Sequence, residues 1–422
     1  MLDVVVIGAG VAGAAAAARL CEAGRRVLVL EGRDRAGGRV WTVRDFCGQP
    51  LEAGAEFVHG KHAEHWPAIR AAGLSARPSS MWRGAMFDLG QGPRWLPRVL
   101  CDPAVWPTFP ILRRLARHRG ADCSARAFVE RNGWRGRARL LAELTLTAHL
   151  PGGPDEVGIG GLLADRVLTL ETGVNYRLDP GYDELPRWLL GGVELRCGFE
   201  VADVAWAPDG VQVTARTGES VEARAAISTL PLGVLRARRV SFSPVLPEAK
   251  RAAIDAIVAG PVVKLLLRFR ERFWPAWLGT LVSGVGPLTL YWAPFDSGAS
   301  APPVLTAYAT GPRAARLSAA SEEEAVATAS RDLTRLFPRA DAARLLEDAR
   351  RIDWQADPLA CGGYTFLPPG AVGAREQLAA SDTGALLWAG AATATPAIAD
   401  TVQAAWLSGR RAAEEAIAAL TG

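Results

Sequence analysis

Leu2-Asp3-Val4-Val5-Val6-Ile7 is a short β-branched run, which predicts a buried strand. Gly8-Ala9-Gly10-Val11-Ala12-Gly13 follows at once, and an alanine-rich stretch to Cys21 predicts a helix. Arg25 to Glu31 predicts a second apolar strand, completing a βαβ unit within about thirty residues. Two further strands are expected at Gly210–Thr217 and Val221–Ser228. From Ala385 the tail reads as strand, small-residue loop and a helix from about Thr401.

The segments between have another texture. Residues 76–173 are rich in Trp, Pro and Arg, with a helical patch at Ala138–His149. Residues 240–365 mix strands (Val262–Phe269, Leu288–Trp292, Val304–Ala309) with a helix at Ser321–Phe337. Nucleotide-type elements at both ends and in the middle imply a discontinuous domain into which a second is inserted twice. A length of 422 residues suits two domains of about 150–200 residues.

Composition narrows the class. Hydrophobic residues at 49% and charged residues at 22% describe a globular chain. A formal charge of +4 supplies no bulk field for nucleic acid or membrane, so neither partner is expected. Only Lys61, Lys250 and Lys264 are lysines among the 48 basic residues, so arginine clusters are discounted as compositional and each lysine gains interest. Six scattered cysteines without CxxC spacing read as reduced core thiols. The run Val4–Leu20 has Asp3 at its start and no basic flank, unlike a signal peptide, and no other run is long enough to span a bilayer. A soluble, cytoplasmic protein is the expectation.

The glycine pattern carries the first chemistry. G-x-G-x-x-G between strand and helix, with an acid eighteen residues past Gly13, is a dinucleotide fingerprint. Gly8 permits the tight turn, Gly10 lets backbone approach a pyrophosphate, and Gly13 allows helix–strand packing. Glu31 closes the second strand, where it accepts from ribose hydroxyls and repels a 2′-phosphate. A small-residue core helix after a buried strand is the bland alternative. Downstream, Gly37 and Gly38 permit backbone approach and Arg39 supplies charge beside phosphates.

The run Glu31-Gly32-Arg33-Asp34-Arg35-Ala36-Gly37-Gly38-Arg39 resembles the E-x-R-x-x-x-G-G-R stretch of the flavin-containing amine oxidase family. Further blocks follow in the family's order. They are Leu51–Gly60, Pro180–Leu185, Ser228–Leu235, Val262–Trp274, Trp354–Gly370 and Ala389–Gly409. The resemblance implies an α/β fold: a Rossmann-like FAD-binding domain of amine oxidase type with an inserted α+β substrate domain. The division expected is 1–75, 174–238 and 366–422 for FAD, and 76–173 and 239–365 for substrate.

The resemblance also assigns roles. Gly8, Gly10, Gly13, Glu31, Arg33, Gly38, Arg39, Ala55, Glu56, Thr229, Pro231, Gly390, Ala391, Thr401 and Val402 are the expected FAD contacts. The helix from Thr401 aims its N-terminus, and the Val402 N–H, at the flavin pyrimidine, or is an ordinary amphipathic helix capped by Asp400. Lys264 matches a lysine that works through a water near flavin N5. On pattern alone, with Arg268 on its face of the strand, it reads as a solvated side chain. Tyr364 matches an aromatic flanking the amine above the flavin, against the alternative of a buried tyrosine before a Pro-Pro turn. His59 matches a histidine near the substrate of polyamine-type members. Glu56 either binds a cationic amine or pairs with His59 at the domain boundary.

Several positions depart from the family. Ala391 stands where glutamate is common, and Pro396–Asp400 has no second cage aromatic. Gly363 precedes Tyr364 where mitochondrial members carry a flavin-linking cysteine, so FAD is expected to be non-covalent. Phe57-Val58 occupies the place of the carboxylate-binding arginine of amino-acid oxidases. His59, His62 and His65 are not expected to hold a metal. The reading is oxidation of a small-molecule amine to an imine with O2 as reoxidant and H2O2 as product. The alternatives are a flavin desaturase or tailoring oxidase, and a silent flavin-binding scaffold.

Overall fold

The computed structural model describes residues 1–79, 84–166, 168, 174–295, 301–382, 384–394 and 400–421. Strand β1 (Leu2–Ile7) lies in the middle of an eight-stranded sheet, with Val4, Val5 and Val6 fully buried. It runs parallel to β2 (Val27–Leu30) on one side and to the Ser220–Ser228 strand on the other. A strand buried on both faces needs a continuous apolar run, and Val-Val-Val-Ile supplies it. Glu194–Arg196 extends the sheet beyond β2, and Leu386–Trp388 pairs in parallel with Ser220–Ser228. The antiparallel strands Val201–Ala207 and Gly210–Ala215 continue it.

Helix α1 (Val11–Glu22) follows the glycine turn and is wedged between this sheet and the C-terminal helix Val402–Thr421. Its small residues make that fit possible. A Cβ on Gly13 would stand 1.9 Å from the Gly8 carbonyl oxygen, so no other residue fits there. The segment packed on this sheet reaches past residue 238: Ser241–Ser243 joins it as a strand, and Ile254 and Ile257 share an apolar cluster with Val5 and Ile7.

A second, seven-stranded sheet holds Val262–Phe269 between Leu346–Asp353 and Val304–Thr310. Leu290–Trp292, Thr280–Ser283, Met86–Asp88 and Pro93–Trp95 complete it, so residues on either side of the middle segment meet in one sheet. Helices Gly311–Ala319 and Glu322–Leu336 cover one face through Ala314, Leu317, Ala329 and Leu333. Ser321 and Glu324 form the reciprocal cap that starts the longer helix. Residues 111–164 add a helical cluster around Phe128, Trp134 and Leu146, in which the expected helical patch is Gly136–Thr147.

The six thiols depart from expectation. All are free, but only Cys123 is buried, while Cys21, Cys101 and Cys197 are exposed. Among the described residues no helix is long and apolar enough to cross a membrane.

Candidate active site

The C-terminal ends of β1 and β2 open on a cavity that reaches from the first sheet to the second. Gly8, Gly10, Glu31, Arg33, Gly38, Arg39, Ala55, Thr229, Pro231, Gly390, Ala391, Thr401 and Val402 all line it, as do Lys264 and Tyr364. Residues from eight separate stretches of sequence thus meet on one surface. Gly13, Glu56 and His59 do not line it. Gly13 serves the packing below, Glu56 lies behind Lys264 in the wall, and His59 is turned to Asn175.

At one end, Glu31 is buried, and its two carboxylate oxygens accept the Ala9 N–H at 2.8 Å and the Arg33 N–H at 2.9 Å. These bonds fix the carboxylate and leave it lone pairs for further donors. Arg33 is held by Asp357 at 2.9 Å. Arg39 donates to the Gly363 carbonyl, and burial pulls its guanidinium below the usual arginine range, with Asp400 opposing.

Lys264 marks the other end. It is buried, so the solvated alternative fails: Leu346–Asp353 covers one edge of its strand, and residues 52–56 receive its side chain. Its Nζ donates to Glu52 O at 2.8 Å, Gly54 O at 2.9 Å and Glu56 Oε2 at 3.3 Å, which takes all three ammonium protons. Burial lowers its pKa from the ordinary lysine value, while Glu56 and Glu52 pull the other way.

Glu56 is equally committed. Its Oε1 accepts from Arg177 Nε at 2.8 Å and from Trp292 Nε1 at 3.0 Å. Burial alone would raise its pKa, but Arg177 and Lys264 outweigh that and hold it below the ordinary glutamate value. Pairing of Glu56 with His59 is not what forms. His59 meets Asn175 Oδ1 at 3.1 Å, and Glu56 turns inward to Lys264, Arg177 and Trp292. Arg177 and Trp292 were not legible as site residues. Trp292 ends a predicted apolar strand, and nothing in the sequence around Arg177 marks it.

Glu52 accepts the Tyr182 N–H at 2.8 Å and the Thr42 hydroxyl at 2.9 Å, and burial pushes its carboxyl up to about 8. Tyr364 presents its ring to the cavity, while its hydroxyl accepts from Tyr308 at 3.0 Å and donates to the His149 carbonyl. Burial raises that phenol well above its ordinary pKa. His59 and His65 take different partners. His59 is bonded to Asn175, while His65 is buried against the Tyr182 hydroxyl at 2.8 Å, where burial lowers its pKa to about 4.

The family model for flavin containing amine oxidoreductase matches residues 11–125 and 152–417. The chain belongs to that family. It is 30% identical to polyamine oxidase 3 of Oryza sativa subsp. japonica over 438 residues, covering 97% of this chain and 88% of the relative. It is 26% identical to nicotine dehydrogenase of Pseudomonas putida, covering 93% and 83%. Cyclohexylamine oxidase from Brevibacterium oxydans superposes with a TM-score of 0.84 at 20% identity, covering 100% of both chains. Putrescine oxidase bound to putrescine gives 0.81 at 20% identity over 99% of each. These superpositions establish the fold.

As a flavin-containing amine oxidoreductase, the protein is an FAD-dependent enzyme. Its cavity fits that cofactor. A Cβ on Gly10 would find no atom nearer than the Gly37 carbonyl at 4.0 Å and would stand in the cavity instead. That bare backbone beside the N-terminus of α1 would accept a phosphate, and the buried Glu31 carboxylate would accept ribose hydroxyls. The C-terminal helix begins differently from expectation. Thr401 Oγ accepts the Ala404 N–H at 3.1 Å and caps it, whereas the Asp400 carboxylate turns away to Thr365 and to Arg375 at 3.0 Å. Asp400 has φ 61°, and that left-handed turn aims its side chain at Arg375. The expected gap in the aromatic cage is Pro396–Asp400, of which all but Asp400 lies outside the described residues.

Proposed function

We propose that the enzyme oxidises the C–N bond of a small-molecule amine to an imine, with O2 as terminal acceptor and H2O2 as product. The amine carbon gives up a hydride and its nitrogen a proton, O2 takes two electrons and two protons, and water then hydrolyses the imine. FAD supplies the hydride acceptor. The observation that carries the reading is the meeting of Lys264 and Tyr364 on the cavity that also holds the glycine turn and Glu31.

In this reading Gly8, Gly10, Gly38, Glu31, Arg33 and Arg39 hold the dinucleotide end. Ala55, Thr229, Pro231, Gly390, Ala391, Thr401 and Val402 line the remainder of the cofactor path, and Gly13 and Glu56 act from behind it. Tyr364 orients the amine with its ring face, since both roles of its hydroxyl are occupied. Lys264 holds a positive charge at the cavity wall. His59 supports the same wall through the Asn175–Leu178 strand. The FAD-binding domain is taken as 1–75, 174–238 and 366–422, extended by the Ser241–Ser243 strand and the Glu248–Ala256 helix that pack on its sheet, and 76–173 with the rest of 239–365 forms the substrate domain. FAD is held without a covalent link, and six free thiols suit a reducing cytoplasm.

The test is an absorbance spectrum of the purified enzyme followed by anaerobic mixing with amines. Polyamines head the panel because polyamine oxidases are among the relatives. Flavin bands that bleach with an amine and return with peroxide on admitting air are the expected result. Bands that no amine bleaches would favour the desaturase or tailoring reading, for which the incomplete aromatic cage speaks, or the silent scaffold, for which Ala391 in place of glutamate leaves room.

A further inference from the structure

The whole-chain charge of +4 conceals a local concentration. Residues 94–119 contain six arginines (94, 98, 113, 114, 117 and 119) and one acid, Asp102, a formal +5 on twenty-six residues. Elsewhere arginines are commonly ion-paired, as Arg19 is with Glu414 and Arg126 with Asp155. Among the described residues none of these six pairs with a carboxylate. Asp102 is taken by Arg137 at 2.8 Å, Arg114 meets only the neutral Asn132, and Arg119 folds back on the Ala116 and His118 carbonyls. Arg94 shares the field of Asp102 with Arg137, and the charge of the other five has no carboxylate paired with it.

The same strip is where large apolar side chains face outward. Trp95, Leu100, Trp106, Phe109 and Leu112 are between 44% and 56% exposed. Their neighbours Val99, Val105, Ile111 and Leu115 are buried, so the elements are docked on the body and the outward set is left over. Trp277, 53% exposed, meets Trp95 edge-on at 6.3 Å and widens the strip, and Trp106 Nε1 is tied to Leu100 O at 3.0 Å. So many outward aromatic and aliphatic groups beside unpaired arginines on one short stretch of chain are a surface that water alone does not explain.

We propose that residues 94–119 form a peripheral docking surface for an anionic lipid bilayer, lying in its interface and not crossing it. Arginines attract anionic headgroups while Trp, Phe and Leu enter the boundary with the acyl chains. A second copy of this chain fits poorly, because a two-fold contact would set +5 against +5. Single-stranded nucleic acid offers bases to stack on Trp and Phe but nothing for Leu100 and Leu112. The helices here are short, Leu96–Leu100 and Ile111–Ala116, which suits a surface and not a span. This goes beyond the expectation drawn from net charge, which spread the strip's charge over a remainder that is itself close to neutral.

The test is co-sedimentation of the FAD-loaded enzyme with sucrose-loaded vesicles of phosphatidylcholine, with and without phosphatidylglycerol. Binding should require phosphatidylglycerol and weaken as salt is raised. Arg113→Glu with Arg117→Glu should lower partitioning at least about tenfold. Trp106→Ser with Phe109→Ser and Leu112→Ser should lower it comparably, and both variants should keep the flavin spectrum and amine turnover. The proposal is overturned by failure to bind phosphatidylglycerol vesicles, by equal binding to phosphatidylcholine alone, or by charge-reversal protein that binds like the wild type. Sedimentation velocity adds one more arm: if the serine variant turns an oligomer into a monomer, a second copy covers the strip and the bilayer does not.

Discussion

Two of the three lysines are buried, and their surroundings are nearly the same. Lys264 meets two backbone carbonyls, the Glu56 carboxylate at 3.3 Å and the Trp292 ring at 5.2 Å. Lys250 meets the Leu378 and Ala380 carbonyls, the Asp382 carboxylate at 3.6 Å and the Trp388 ring at 4.8 Å. Each is an ammonium stripped of water and given three acceptors and an aromatic face. Only Lys264 lines the cavity. Lys250 instead ties the helix Glu248–Ala256 to the stretch that follows Ala374–Ala379. Immediate partners therefore do not distinguish a functional lysine from a structural one, and what lies beyond the partners does.

The largest effect should separate the two on activity. Lys264→Met should cut turnover about 10²–10³-fold by removing a fixed charge at the cavity wall, while Lys250→Met leaves turnover per bound flavin unchanged. Stopped-flow reduction and reoxidation would read both. Equal losses would break the contrast.

Stability should reverse the order. Lys250→Met leaves Asp382 buried without its cation, a loss on the order of 3 kcal/mol in urea unfolding. Lys264→Met leaves Glu56 still paired with Arg177 and Trp292, so about 1–2 kcal/mol is expected.

A smaller effect lies in the pH dependence. Burial lowers the Lys250 pKa to about 8 from 10.5. The unfolded chain then holds more protons than the folded one, so stability from this group rises as pH climbs from about 8 to 10.5. The Lys250→Met variant should lose that slope. Glu52 has the opposite sign: its pKa is raised from 4.5 to about 8, so its contribution is full below 4.5 and falls as pH rises to about 8. Glu52→Gln should flatten that decline in chemical denaturation series, and an unchanged slope would show that Glu52 ionises normally.

The nucleotide half was legible because its rules are local. A β-branched run, glycines at fixed offsets and an acid at the end of β2 each constrain backbone within a few residues, and the strand–turn–helix forms where they stand. Lys264 was legible as one of three lysines and as the match to the family's lysine. Its partners were not, since Arg177 and Trp292 come from stretches about ninety residues to one side and thirty to the other. The solvated alternative for Lys264 failed for the same reason: neighbours in sequence do not say which strand will cover an edge. The thiol reading failed likewise, because burial of Cys21 or Cys197 depends on the last residues of elements whose packing is set elsewhere.

The sequence by itself determined the dinucleotide turn, the family and therefore FAD, because these rest on residue types at short fixed spacings. Only the tertiary structure decided that Glu56 faces Lys264 and not His59, that Thr401 and not Asp400 caps the last helix, and that one arginine-rich strip stays unpaired at the surface. Each of these depends on Coulombic and packing partners that the chain brings together from a distance, and such partners exist only once it has folded.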